Sequence, residues 1–225
     1  MIIMKNSSGL IKNPEIQIPN KWIFIFLSIV IIAMPALSLA FQPEDEASRI
    51  QQAYEGFKDI SGNFVQRSYI KDLKRTDTYR GRFFIKASKF RWEYTGENPQ
   101  TIYISEDKLI IYQKNEKQAY ITKFDRSTYG QSPIILLGGL GDIKRDFEIS
   151  SKDRRLMLKP KSQMGNIARI EVSTSDGEFP IKSLSIVDTL SNRTDIEFRN
   201  VKANTGLKDS LFEFSPPEGV SIIRQ

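Results

Sequence analysis

The sequence Phe90-Arg91-Trp92-Glu93-Tyr94 indicates a β-strand with two different faces. Side chains of a strand point alternately to its two sides, so Phe90, Trp92 and Tyr94 share one face while Arg91 and Glu93 share the other. Three aromatic side chains on one face need an apolar surface to cover them, whereas the charged residues can meet water. The stretch therefore predicts one strand of a sheet that buries its aromatic face.

The same alternation continues along the chain on both sides of this strand. Short segments rich in β-branched and aromatic residues are separated by turn residues such as Gly96, Asn98 and Pro99. The predicted strands are residues 64–70, 79–85, 90–94, 101–105, 108–112, 118–122, 147–151, 154–159, 167–173, 181–188 and 193–201. Eleven successive strands with tight turns predict a mainly β fold, in which a twisted antiparallel meander curls into an open half barrel.

A helix is predicted before the first strand, over residues 44–59. Pro43 and the acidic residues after it are favourable in a first helical turn. The apolar residues that recur at helical spacing are Ile50, Ala53, Tyr54 and Phe57. Ser61-Gly62-Asn63 predicts a turn between this helix and the sheet.

Two later segments depart from the strand pattern. Residues 132–140 are apolar, begin with Ser-Pro and end in glycines, which predicts a second, short helix. We expect this helix and the first one to form a lid over the open side of the sheet. Near the end of the chain, residues 211–214 predict one more short strand, which the Pro216-Pro217 pair terminates.

Residues 1–40 have the three parts of a secretory signal. A basic residue precedes an apolar run over residues 22–33, the helix-breaking Pro35 follows the run, and residues 38–40 form a small-x-small pattern. We expect cleavage after residue 40, which would export a single domain of residues 41–225. An uncleaved membrane anchor is the alternative, because the apolar run is nearly long enough to cross a bilayer.

Composition narrows the chemistry. The 225 residues include no histidine and no cysteine, which excludes a Ser-His-Asp triad, a thiol nucleophile and a zinc site built on His or Cys. We expect no enzymatic activity, no metal and no cofactor; a hydrolase based on two carboxylates is the alternative. The formal charge of +6, from 33 Lys+Arg against 27 Asp+Glu, is mild, so we expect no nucleic-acid partner.

The aromatic strand predicts a cavity on the concave face of the curled sheet. Such a sheet makes more concave surface than two short helices fill, although an ordinary packed core is the simpler interpretation for each residue alone. The residues expected to line the cavity are Phe57, Phe83, Ile85, Phe90, Trp92, Tyr94, Ile102, Ile104, Ile111, Ile134, Leu136 and Leu137.

Six short motifs follow one another in the predicted domain. They are Gly62-Asn63-Phe64-Val65-Gln66, Phe90-Arg91-Trp92-Glu93-Tyr94 with Pro99, Ser105-Glu106-Asp107-Lys108-Leu109-Ile110-Ile111-Tyr112 with Gln118, Ser132-Pro133-Ile134-Ile135-Leu136-Leu137, Leu158-Lys159-Pro160-Lys161, and Phe212-Glu213-Phe214-Ser215-Pro216-Pro217-Glu218-Gly219-Val220. In this order they resemble the LolA family of lipoprotein carriers. Each motif alone is short, and the specificity comes from their order.

The resemblance implies a periplasmic protein that shields the acyl chains of lipoproteins in an open barrel under a helical lid. It implies that an inner-membrane lipoprotein-releasing transporter supplies the lipoproteins and that an outer-membrane acceptor receives them. By position, Phe90 and Trp92 would lie in the lipid cavity and residues 134–137 in the lid. We expect a monomer.

Two features depart from the family pattern. The usual Arg-Pro before the aromatic strand, where the Arg is associated with latching the lid, is Ala87-Ser88 here, with Lys86 and Lys89 beside it. The family's Trp before the strand Tyr is Ile110. These departures concern the cargo and its release more than the fold. The alternative function is a periplasmic sensor of related fold, which binds lipid or lipoprotein signals and reports to a membrane partner.

Overall fold

The structure of the protein is a computed structural model, and it describes residues 42–124 and 142–224. The predicted signal segment and the predicted helix at residues 132–140 lie outside the described residues. The elements in chain order are α1 (Pro43–Glu55), β1 (Asp59–Ile70), β2 (Arg75–Lys86), β3 (Lys89–Thr95), β4 (Gln100–Ser105), β5 (Lys108–Gln113), β6 (Gln118–Lys123), α2 (Ile143–Asp146), β7 (Phe147–Lys152), β8 (Arg155–Pro160), β9 (Ile167–Thr174), β10 (Ile181–Asp188), β11 (Arg193–Ala203), the 3₁₀ helix η1 (Asp209–Phe212) and β12 (Ser221–Arg224).

The described strands form one twelve-stranded sheet with the order β12-β6-β5-β4-β3-β2-β1-β11-β10-β9-β8-β7. Two meanders, β1–β6 and β7–β11, join where β1 pairs with β11. The first and last strands of the predicted eleven-strand set therefore lie side by side in the middle of the sheet. The fold is a mainly β, curled open sheet, as the alternation of the sequence predicts, and all eleven predicted strands are present.

The sequence pattern does not predict the twelfth strand. β12 pairs in parallel with β6, with Ser221 opposite Gln118. The short strand predicted at residues 211–214 is wrong, because η1 occupies Asp209–Phe212 and the chain crosses the outer face of the sheet there instead of pairing at an edge.

The turn predicted at Ser61-Gly62-Asn63 is also wrong. These residues lie inside β1, and the β1–β11 register shifts between Ser61 and Asn63 at a bulge. The glycine is needed for packing and not for a turn, since a Cβ on Gly62 would lie 2.9 Å from the ring of Phe83. Gly in a strand often marks such a close approach.

Helix α1 covers part of the inner face of the sheet, which is the face that carries Phe90 and Trp92. It begins at Pro43 with three acidic residues in its first turn. Ala47 and Ile50 are buried, and the helix packs against β7 and β8. It ends at Glu55, four residues before the predicted end, because β1 already begins at Asp59 and pairs with Lys86 there.

Candidate functional site

Two rows of apolar side chains cross the inner face of β1–β5. Because directly paired residues share a face, the strand register places Ile60, Ile85, Phe90, Ile104 and Leu109 in one row. The second row contains Phe83, Trp92, Ile102 and Ile111. The register therefore places Ile111 on the same face as Trp92, which the sequence alone left open.

The predicted lining residues differ in exposure. Phe83, Ile85, Phe90, Trp92 and Ile104 are buried in the core, and Trp92 is only 1% exposed. Phe57, Tyr94, Ile102 and Ile111 are partly buried and pack against that core. Ile134, Leu136 and Leu137 lie outside the described residues. The described lining residues thus belong to one apolar cluster, in which the half-buried members are those nearest to solvent.

Phe64 of β1 and Trp92 of β3 form the tightest aromatic contact of the cluster, with ring centroids 3.9 Å apart. Strand β2 lies between their strands, and Gly81 of β2 pairs with both Phe64 and Tyr94. A Cβ on Gly81 would lie 2.6 Å from the Phe64 ring and 1.8 Å from the Glu93 carbonyl oxygen. The missing side chain at this position therefore lets the two rings meet across the strand.

Several residues of this cluster are not among those predicted. Phe64, Phe179 and Phe198 join it, and Phe198 meets the ring of Phe83 at 5.6 Å. Phe64 and Phe198 could have been found from the alternation within their own predicted strands. Phe179 follows a loop and carries no such signal; it contacts the rings of Tyr54 and Phe57.

A chain of polar groups follows the aromatic cluster on the same face. The Tyr94 hydroxyl donates to Gln66 Oε1 at 3.1 Å, and Gln66 Nε2 donates to Ser68 Oγ at 3.1 Å. Burial raises the pKa of Tyr94 to about 12, although the hydrogen bond from the neighbouring Trp92 indole N–H acts in the opposite direction. The hydroxyl therefore remains a neutral donor over the physiological range.

The outer face of β2 and β3 is polar and carries a buried ion cluster. Glu93 is 7% exposed and lies 2.7 Å from Arg82 Nη2 and 2.5 Å from Arg91 Nη2. Arg91 also lies over the ring of Tyr103 and donates to the Leu211 carbonyl at 2.9 Å. This cluster fixes the segment around η1 against the outside of the sheet.

Lys86 and Lys89, which flank the turn where the family pattern has Arg-Pro, reach the same segment. Lys86 Nζ donates to the Leu207 carbonyl at 2.8 Å, and Lys89 Nζ donates to Asp209 at 2.9 Å. In this structure both lysines therefore bind the C-terminal segment on the outer face.

The remaining chemistry of the described chain is sparse. Residues 42–124 and 142–224 contain no group of three or more acidic residues placed to hold a metal ion. Within these same ranges, no helix has the length and apolar character needed to cross a membrane. The candidate functional site is therefore the apolar inner face, together with the polar groups of Tyr94, Gln66 and Ser68 beside it.

The family model and the curated relatives that match this sequence carry the same description. The family model described as "Outer membrane lipoprotein carrier protein LolA" matches residues 55–215. An outer-membrane lipoprotein carrier protein of Pseudomonas putida is 28% identical over 208 residues, covering 88% of this chain and 99% of that protein. A protein of the same description from Alkalilimnicola ehrlichii is 27% identical over 207 residues, covering 88% and 95%.

Among solved structures, an uncharacterized conserved protein from Thermus thermophilus superposes with a TM-score of 0.52. The sequences are 12% identical, and the match covers 81% of this chain and 98% of that one. At this identity the likeness supports the fold alone.

Proposed function

Because the matching family model covers most of this chain, the chain belongs to the LolA family, and we propose on that premise that it carries lipoproteins through the periplasm. In this proposal it receives them from an inner-membrane releasing transporter and delivers them to an outer-membrane acceptor. Cleavage of residues 1–40 would make the carrier soluble in that compartment. The relatives with the same extent are described as outer-membrane lipoprotein carriers, which supports the proposal.

The observation that carries the proposal is the pair of apolar rows on the inner face. Their central residues, such as Trp92, are buried, while Ile102 and Ile111 in the same row are only partly covered. An extended acyl chain can lie along such a row and replace contacts with water. We therefore assign acyl-chain binding to this face, including the nine described residues predicted to line it.

The energetics suit a carrier. Burying a chain of ~16 carbons is worth roughly 13 kcal/mol against water, at about 0.8 kcal/mol per CH₂. A bilayer offers the same gain, so transfer from one membrane to another is close to neutral. The carrier needs only to keep the chains dry, and too tight a site would prevent unloading. We propose that Ile134, Leu136 or Leu137 fills the empty site and is displaced by cargo, which lowers the net affinity.

Depletion of the protein in cells tests the whole proposal. We expect lipoproteins of the outer membrane to accumulate in the inner membrane, because their release would no longer be followed by transfer. N-terminal sequencing of the exported protein should give Phe41 as the first residue. Unchanged lipoprotein localisation, together with a stable complex of this chain with one membrane protein, would contradict carriage and support a sensor.

A further inference from the structure

The exposed apolar side chains of this protein are concentrated at one end of the sheet. Among the described residues, the large hydrophobic side chains that are exposed are Tyr69, Leu73, Tyr79 and Leu190. Leu73, which is 63% exposed, lies in the turn between β1 and β2, residues 71–74. Leu190, which is 66% exposed, lies in the turn between β10 and β11, residues 189–192. Single exposed leucines are common on protein surfaces, but this grouping at one end indicates a contact surface.

These two turns, named the leucine turns below, are neighbours and have well-defined backbones. The Lys71 N–H donates to Asn192 Oδ1 at 3.0 Å and joins one turn to the other. In the second turn, Asp188 Oδ1 accepts the N–H groups of Leu190 and Asn192 at 2.9 and 2.8 Å. In the first turn, the Lys74 N–H donates to the Lys71 carbonyl at 3.1 Å. The two leucine side chains therefore project from turns whose own hydrogen bonds hold them in place.

Basic side chains surround the leucine turns. Residues 67–80 and 188–195 contain six Lys and Arg residues against four Asp residues, an excess of two positive charges. Asp77 is paired with Arg75 at 2.9 Å, and Asp195 is paired with Arg193 at 2.8 Å. Salt bridges to carboxylates of the described residues are absent for the other four basic residues, which are Arg67, Lys71, Lys74 and Arg80. This end of the sheet thus combines unpaired cations with exposed apolar side chains.

We propose that the leucine turns dock on the surface of an anionic phospholipid bilayer. Leu73 and Leu190 enter the interfacial region of the bilayer, and the basic side chains around them contact lipid phosphates. Burial of apolar side chains and attraction of cations to an anionic surface act together in this kind of binding. The contact goes beyond carriage and lies apart from the acyl-chain site, because Ile70 is six residues beyond Phe64 on β1, about 20 Å along the strand.

A bilayer suits the leucine turns better than a protein partner does. A stable protein–protein interface needs a continuous complementary surface that buries about 1,200–2,000 Å² in total. The leucine turns instead offer two separate side chains, and fluid lipids can enclose each of them individually. Backbone groups that enter an apolar environment must already be hydrogen-bonded, and the turn N–H groups of Leu190 and Lys74 meet this requirement.

Vesicle co-sedimentation tests the proposal. The exported protein, purified from cells, is mixed with vesicles of phosphatidylcholine alone or of phosphatidylcholine with an equal amount of phosphatidylglycerol. Binding to the anionic vesicles should be at least about tenfold stronger, and it should weaken as salt is added. The double substitution Leu73→Ser/Leu190→Ser should lower the partition coefficient at least about tenfold, because these two side chains would no longer gain by leaving water.

Two matched controls accompany these variants, and thermal unfolding confirms that each variant is folded. Leu73→Met/Leu190→Met keeps both side chains apolar, so its binding should stay within about threefold of the wild type. Lys71→Gln/Lys74→Gln should weaken binding to anionic vesicles about tenfold. Lys108→Gln/Lys123→Gln removes the same charge at the opposite end of the sheet, where the register places both lysines in the row of Asp59, and should have little effect.

A dipalmitoyl-glyceryl cysteine lipopeptide separates this contact from the proposed acyl-chain site. The Leu73→Ser/Leu190→Ser variant should bind the lipopeptide as the wild type does, whereas Ile111→Glu should lose the lipopeptide and keep the vesicles. If only Ile111→Glu loses the vesicles, the contact lies on the inner face and the proposal is wrong. Equal binding of the wild type to both kinds of vesicle, or equal losses from the serine and methionine variants, would also overturn it.

A protein partner would give a different result. In that case the wild type would not bind anionic vesicles, yet cells that carry the Leu73→Ser/Leu190→Ser variant would mislocalise lipoproteins. This outcome would assign the leucine turns to a protein and exclude the bilayer. The vesicles contain no lipoprotein, so their binding is measured independently of carriage, and a failure of the carrier function alone leaves this result unchanged.

Discussion

The rings of Phe64 and Trp92 stack with their centroids 3.9 Å apart although strand β2 separates the strands that carry them. Gly81 lies at the crossing point and is paired with Phe64 on one side and Tyr94 on the other. The contact joins the aromatic strand to the centre of the sheet, where the two meanders meet. Because the contact requires that residue 81 has no side chain, a substitution at that position tests it directly.

Gly81→Ala should destabilise the protein by about 3 kcal/mol, because the added methyl group would overlap the Phe64 ring and the Glu93 carbonyl. Urea unfolding followed by near-ultraviolet circular dichroism measures both the stability and the ring contact. Gly56→Ala is the control: its Cβ would lie 3.5 Å from the nearest atom, the Ala53 oxygen. An equal loss of stability in both variants would contradict the role given to Gly81.

Ile111→Glu and Ile110→Glu test which face of the sheet binds acyl chains. The two residues are neighbours on β5, both half-buried, and point to opposite faces. A carboxylate in place of Ile111 would have to be desolvated by an acyl chain, so lipopeptide affinity should fall at least about tenfold. Ile110→Glu should leave affinity within about twofold. A greater loss from Ile110→Glu would move the site to the outer face.

Asp59→Asn tests how the start of β1 holds the C-terminal segment. Burial would raise the pKa of this carboxyl, but hydrogen bonds from Thr205, Gly206 and Leu207 outweigh it and hold the pKa below the usual value. A depressed folded-state pKa stabilises the fold above the unfolded-state pKa, near pH ~4, and this contribution disappears as the pH falls through the folded-state value.

At pH ~7 we expect Asp59→Asn to lose about 1–3 kcal/mol of unfolding free energy, because an amide accepts fewer of these hydrogen bonds. The gap between variant and wild type should narrow as the pH falls below about 4. Urea midpoints measured from neutral pH down to about pH 3 follow this change. Asp72→Asn, in the exposed turn after β1, should have little effect, and a gap that is constant with pH would exclude the proposed contribution of the Asp59 charge.

Glu93→Gln tests the ion cluster on the outer face. The substitution leaves Arg82 and Arg91 without their shared carboxylate beneath the C-terminal segment. Because Arg82 is largely exposed, we expect a moderate loss of about 1–3 kcal/mol. Glu148→Gln is the matched control, since its pair with Lys159 is exposed on both sides and should contribute less than about 0.5 kcal/mol. Equal effects in a chemical unfolding experiment would contradict a special role for Glu93.

Much of the architecture follows from local patterns. Alternation identifies all eleven strands that it predicts and places Phe90, Trp92 and Tyr94 on one face, because the side-chain period of a strand is a property of its backbone. Local sequence signals give the wrong structure where a residue is needed for packing against a side chain that is distant in the sequence. The neighbours of Gly62 indicate a turn, yet the glycine is needed because the Phe83 ring packs against it.

The candidate site likewise has one part that the sequence predicts and one part that it does not. Its apolar residues are visible in the sequence, since each one alternates within its own strand. The hydrogen bond between Tyr94 and Gln66 is not, because nothing in the sequence around either residue indicates that strand β2 brings them within hydrogen-bonding distance. The reach of Lys86 and Lys89 to residues 207–209 likewise depends on the path of a segment that lies 120 residues or more later in the chain.

Strand positions and the apolar face are therefore properties that the order of amino acids specifies locally, through backbone geometry and the avoidance of water. The pairing of β1 with β11, the Phe64–Trp92 stack across Gly81 and the hydrogen bond from Tyr94 to Gln66 arise only when distant segments pack together. Those contacts depend on sheet register, and register is a balance of packing over the whole sheet that no single segment contains.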